Sequence, residues 1–138
     1  GSMFGRPGRT SATEAGEDVT NLLEFVGLAD VRGTPAGDLQ LANQKRLEVA
    51  RALATHPRLL LLDEVMAGLN PTEVAEAMDL VTRIRDQGIT IFMIEHVMKA
   101  IMTICNRIMV LNHGKKIAEG TPQEIATSQR VVEVYLGE

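Results

Sequence analysis

At 138 residues the chain is one ordinary domain or part of a larger one, and its formal net charge of −4 argues against a broad nucleic-acid surface. Apolar residues make up 45% and charged residues 23%, a balance that excludes a disordered polymer, and aromatics at 3% leave the core to aliphatic side chains. A single cysteine, Cys105, excludes an internal disulfide framework, and no apolar run reaches the roughly 18 residues that a membrane-spanning helix needs.

Gly1-Ser2 ahead of Met3 reads as a tag remnant, and residues 1–13, rich in Gly, Arg, Ser and Thr, read as a mobile arm. From Glu14 the pattern changes: Val19, Leu22, Leu23 and Val26 fall at helical spacing, and Gly27 ends that helix. Residues 28–38, with Gly33, Pro35 and Gly37, form a connector. A second helix is predicted from Gln40 to Thr55, with Leu47, Ala50, Arg51 and Ala54 along one side and Pro57 marking its boundary. Leu59–Leu62 follows, four leucines running into Asp63-Glu64. Its length, turn residues on both sides and the preceding proline favour a strand over a buried helix segment, with both faces covered in a parallel sheet. Ligands bind just outside the carboxyl ends of such strands. Two acids at that end suit two jobs, holding a hydrated Mg²⁺ and polarising a water for attack on a phosphate.

Ala67-Gly68-Leu69-Asn70-Pro71 is a turn that places Pro71 first in the next helix. That helix runs to Gln87 with Val74, Ala77, Met78, Val81 and Ile84 as its buried stripe, and Gly88 stops it. Ile89–Ile94 is a second buried strand ending in Glu95 and His96. A short helix from Val97 to Cys105 leads to a third strand, Arg107–Leu111. Asn112-His113-Gly114 then turns the chain into a hairpin strand, Lys115–Glu119. Thr121 and Glu124 have capping-box spacing, and a last amphipathic helix carries Val131, Val134, Tyr135 and Leu136. Alternating strands and helices make the fold class α/β with parallel strands. Outside this frame, Cys105 reads as a buried structural thiol and His56 and His113 as solvated. The methionines read as aliphatic filler, and Arg83, Arg85 and Asp86 as a solvated helix face.

Leu39-Gln40-Leu41-Ala42-Asn43-Gln44-Lys45-Arg46, continued to Leu53, resembles the signature helix of ATP-binding-cassette (ABC) ATPases. The strand ending in Asp63-Glu64 then takes the Walker B position, Ala67–Asn70 that of the D-loop, and His96 that of the switch histidine. The Ala67–Glu73 run, Ile94-Glu95-His96, Glu119-Gly120-Thr121-Pro122 and the closing Tyr135-Leu136-Gly137-Glu138 are similar to the branched-chain amino-acid importer subgroup. The resemblance implies an incomplete RecA-like P-loop NTPase sheet with a remnant of the ABC helical subdomain. Residues 14–56 would be that remnant with the signature helix, and 57–138 the C-terminal half of the ATPase core. It implies that Asp63 orients Mg²⁺ and its waters, Glu64 polarises the attacking water, and His96 bonds the γ-phosphate. Gln40, Leu41, Ala42 and Asn43 would offer backbone amides to a γ-phosphate held by a second subunit, while Ala67, Gly68, Leu69 and Asn70 lie along the dimer seam. The parent would bind ATP and Mg²⁺ and drive an importer from the inner face of the plasma membrane through permease subunits.

Two departures stand out. The family's usual serine and two glycines are Gln40, Leu41 and Ala42 here, so the serine hydroxyl contact is lost. The glycine-lysine phosphate loop, G-x-x-x-x-G-K-[ST], occurs nowhere in these residues, which reads as the C-terminal part of a cassette. Two other readings remain at this point: a non-enzymatic fragment that self-associates or pairs with the missing half, and a cassette of DNA repair or translation. The absence of sustained heptads and the acidic charge count against the last. The isolated chain is expected to bind Mg-ATP weakly or not at all, because the phosphate loop is missing and Asp63 and Glu64 add negative charge beside any nucleotide. Calorimetry showing micromolar affinity for the isolated chain would overturn this.

Overall fold

The computed structural model describes residues 12–136; residues 1–11 of the arm predicted over 1–13, and the closing Gly137-Glu138, lie outside them. Two compact units follow one another along the chain, dividing between Ile94 and Glu95.

In the first unit, α1 (Ala12–Val26) starts two residues earlier than the sequence pattern predicts. Leu22, Phe25 and Val26 are its buried residues, whereas Val19, expected in the stripe, is exposed. Gly27 ends it at φ +83°, where a side chain would be strained. Two short 3₁₀ turns, Ala29–Val31 and Ala36–Asp38, carry the connector to α2 (Leu41–Leu53). The buried side of α2 is Val49, Ala50 and Leu53; the predicted Arg51 and Ala54 are exposed, so the stripe lies on a different face from the one expected. Strand β1 (Leu59–Asp63), α3 (Pro71–Asp86) and β2 (Thr90–Ile94) form a strand–helix–strand unit whose strands pair in parallel. Val74, Leu80, Val81 and Ile84 seal α3 against the core, close to the expected stripe.

Arg83 is more than a solvated residue. Its guanidinium donates to the Phe25 carbonyl (2.8 Å), lies 4.9 Å over the Phe25 ring and pairs with Asp79 (3.0 Å), tying the end of α1 to α3. Arg46 on α2 pairs with Glu76 on α3 at 2.6 Å. A cavity of about 400 Å³ among the three helices is lined by these paired charges and by none of the predicted site residues.

Strand β1 is not buried on both faces, contrary to what its four leucines lead one to expect. Leu60 and Leu62 are buried, but Leu59 and Leu61 are 54% and 68% exposed. In β2, Phe92 and Ile94 are 57% and 54% exposed. The register Leu59↔Thr90, Leu61↔Phe92, Asp63↔Ile94 puts all of these on one face, because side chains alternate along a strand. The sheet has two strands, β2 pairs with β1 alone among the described residues, and only one face is packed.

The second unit opens with α4 (Met98–Ile104) and continues into a hairpin of β3 (Ile108–Asn112) and β4 (Lys115–Gly120). His113 and Gly114 supply positive φ at its turn, as the Asn-His-Gly signal implies. Thr121 and Glu124 form the predicted capping box at the start of α5 (Pro122–Ala126). Ile108, Ile125 and Val131 are the core of this unit, with Cys105 packed against them. The closing segment is a short turn of α-helix (Gln129–Val131) that widens into a π turn (Val132–Leu136), not the regular amphipathic helix expected. Val131 is buried in it while Val134 and Tyr135 are exposed, and the Tyr135 hydroxyl donates to the Leu111 carbonyl. No described helix is long and apolar enough to cross a membrane.

Asn70 caps α3 in full: Glu73 N–H donates to its side chain (2.8 Å), and Asn70 N–H donates back to the Glu73 carboxylate (3.1 Å). Asn70→Ala is expected to cost about 1 kcal/mol. Urea denaturation showing no change in midpoint would refute that cost.

Candidate functional site

The site is built where β1 runs out. Asp63 is the last strand residue, exposed on the open face and in register with Ile94. Glu64 does not continue the strand. Its N–H still donates to the Ile94 carbonyl (2.8 Å), but its φ is +53°. The left-handed region costs a non-glycine residue roughly 1–2 kcal/mol and persists where the surroundings impose it. Here they do: the Glu64 carbonyl accepts from Ala67 N–H (3.2 Å) and from the Lys45 ammonium on α2 (3.0 Å). The backbone turns at Glu64, so the pleat of β1 does not set the direction of its side chain.

The loop beyond is anchored by Met66, which is almost wholly buried, and Leu69 N–H donates to its carbonyl (3.3 Å). Gly68 has φ +77°, and a Cβ there would lie 3.0 Å from Leu41 Cδ2. Position 68 therefore favours glycine for its backbone, and a larger side chain would press on the flexible end of Leu41. That approach brings Ala67–Asn70 against the start of α2, uniting two of the stretches singled out in the sequence.

Gln40 is the N-cap of α2 in extended conformation, and its side chain makes no capping hydrogen bond. Gln44 N–H closes the first turn on the Gln40 carbonyl (2.9 Å). The first backbone N–H groups of a helix have no intrahelical acceptor, so Leu41, Ala42 and Asn43 sit where amides serve an anion. His96 belongs to the second unit, exposed in the loop before α4. The structure thus brings together Lys45, Glu64, Gly68 and Leu41 within the first unit, with Asp63 next to Glu64.

Lys45 was not legible as a site residue, since its partner is a backbone carbonyl 19 positions away and no motif carries that information. Among the described residues no three of His, Cys, Asp and Glu gather to hold a metal. One exposed carboxylate, Asp63, fits Mg²⁺, which commonly uses one or two carboxylates and completes its shell with water and substrate phosphate. Burial pushes the Cys105 thiol above its usual range, which keeps it protonated and away from nucleophile duty.

The family model described as "ABC transporter" matches residues 4–67, and the one described as "Branched-chain amino acid ATP-binding cassette transporter" matches residues 115–138. The high-affinity branched-chain amino acid transport ATP-binding protein BraF of Pseudomonas aeruginosa is 42% identical over 131 residues, covering 94% of this chain and 51% of BraF. The methionine import ATP-binding protein MetN 1 of Staphylococcus aureus is 40% identical over 118 residues, or 85% of this chain and 35% of that protein. Among solved structures, an ATP-binding cassette of an ABC transporter in its ADP conformation is similar with a TM-score of 0.81 and 29% identity, over 96% of this chain and 54% of that one. The chain spans about half the length of the curated relatives it matches. It belongs to the ABC transporter ATPases and has part of their RecA-like P-loop α/β fold.

Proposed function

We propose that the intact protein hydrolyses ATP to drive a membrane importer, and that this chain is its catalytic-carboxylate half. The observation that carries the reading is the Glu64 carboxyl residue, held out of the strand geometry beside Asp63 at the carboxyl end of a parallel strand. Glu64 is the general base that polarises the attacking water. Asp63 is the residue that would hold Mg²⁺, which supplies charge neutralisation at the phosphates when bound. His96 hydrogen-bonds the γ-phosphate. Gln40, Leu41, Ala42 and Asn43 face a nucleotide held by a second subunit, with Ala67–Asn70 along the seam between the two. Residues 14–56 are the helical-subdomain remnant and 57–138 the C-terminal half of the ATPase core.

Branched-chain amino acids are the solute class we favour. MetN 1 and BraF match at nearly equal identity, so overall similarity does not separate their solutes. The match of the branched-chain description to residues 115–138 is what tips the reading. The protein would act on the cytoplasmic face of the membrane, bound there through permease subunits.

In the full-length protein, Glu64→Gln is expected to keep ATP binding and to lower turnover by about 10²–10⁴, since an amide is a poor proton acceptor. Normal turnover by that variant would remove Glu64 from the base role.

The open face supports a second reading for the chain by itself, that of an interaction module. Leu59, Leu61, Phe92 and Ile94 form one apolar stripe beside an edge of β2 that pairs with nothing among the described residues. Burying a large aliphatic or aromatic side chain is worth roughly 1.5–3 kcal/mol, so four of them leave a strong drive to be covered. In the whole domain the remaining half of the chain covers this face. For the isolated chain the occupant is a second copy, which can set its own open β2 edge and apolar stripe against this one. Light scattering at micromolar concentration is expected to show a homo-oligomer, and Leu61→Lys with Phe92→Glu to dissolve it. A clean monomer of the unaltered chain would count against this.

A further inference from the structure

We infer that Lys45 is a positioning residue for Glu64. The inference rests on the reading of Glu64 as general base and goes beyond it, to what aims that carboxylate.

The direction of a Cα–Cβ bond is fixed once the peptide planes on both sides of the Cα are fixed. At Glu64 the preceding plane is held by its own N–H, bonded to the Ile94 carbonyl at the end of β2 (2.8 Å). The following plane is held through its carbonyl, which accepts from Ala67 N–H (3.2 Å) and from Lys45 Nζ (3.0 Å). The Ala67 bond is local and belongs to the same turn. It would move with the turn. Lys45 is the only one of the two holders that comes from another element, and it is charged, so its hydrogen bond to the carbonyl is of the stronger, charge-assisted kind.

The conformation being held is an unfavourable one. With φ at +53°, Glu64 would relax toward the ordinary extended or right-handed regions if released. A relaxation of that kind swings the carboxylate away from its present direction, whereas the fold has no other reason to move. Lys45 itself is partly buried, and its ammonium reaches from α2 to the carbonyl at the end of β1. It sits on the first turns of α2, close behind Gln40–Asn43, so the helix that offers amides to a phosphate also steadies the base.

The test is a double-mutant cycle in the full-length protein, with Lys45→Met and Glu64→Gln. In the otherwise unaltered protein, Lys45→Met is expected to lower kcat about 10- to 100-fold at unchanged KM for ATP, the size of effect that a misplacement near 1 Å produces. In the Glu64→Gln background the same change is expected to do nothing further, because a residue acting through the base has no base left to act through. Lys45→Arg, which keeps charge and donor, is expected to restore most of kcat. Lys45→Gln is carried through the same cycle, so a methionine variant that fails to fold does not end the test. An equal kcat loss in both backgrounds would make Lys45 merely structural and overturn the proposal, and so would an unchanged kcat in Lys45→Met. Normal turnover in Glu64→Gln alone would instead sink the reading of Glu64, and the role of Lys45 with it, so the two failures are told apart.

Discussion

The parallel pairing of β1 with β2 is the constraint from which the site follows. It runs in register from Leu59↔Thr90 to Asp63↔Ile94, and Glu64 adds one more hydrogen bond beyond the last strand residue. Parallel strands require a crossover, and α3 is that crossover; its capping box at Asn70 bounds the loop that follows Glu64, and its stop at Gly88 bounds the turn into β2. Without this ladder, the carboxylates at 63 and 64 would be two neighbouring acids in a flexible chain.

Around that ladder the fold uses small residues and one long cation. Gly68 allows Leu41 to come within 3.0 Å of where its side chain would stand, and this locks the loop to the start of α2. Lys45 reaches from the same helix to the Glu64 carbonyl. Leu41, where the family usually has glycine, is the residue that meets this loop. Ala42 and Asn43 follow it in the first turn of α2, both partly buried.

What could be read from the sequence was what local chemistry decides. The order of strands and helices, the Thr121–Glu124 capping box, Pro71 at the start of α3, the Asn-His-Gly hairpin and the glycine stops all depend on residues a few positions apart, and all are found. The roles given to the carboxylates, the Ala67–Asn70 stretch and the helix after Gln40 come from the family resemblance and not from local chemistry. The misses are tertiary. Arg83 counted as a solvated charge because its partners, the carbonyl and ring of Phe25, lie 58 residues away. Lys45 was passed over for the same reason. The face of α2 was misplaced because helical spacing alone fits several stripes when Leu47, Val49, Ala50 and Leu53 are all apolar, and packing chooses among them.

The four leucines of β1 were misjudged in a more informative way. Apolar side chains at every position describe a strand covered on both faces, yet only Leu60 and Leu62 are covered. Sequence composition at Leu59 and Leu61 therefore encodes a packing partner that the described residues do not contain. Phe92 and Ile94 carry the same mark on the neighbouring strand, in register and on the same face. The second unit bears it more lightly: its hairpin leaves Met109 and Leu111 exposed but closes a core of its own from Ile108, Ile125 and Val131. A hairpin and its following helix gain their contacts from nearby sequence, whereas a parallel sheet takes its faces from distant segments. This difference explains why the uncovered apolar surface gathers beside the carboxylates, on the element that most depends on the rest of the domain.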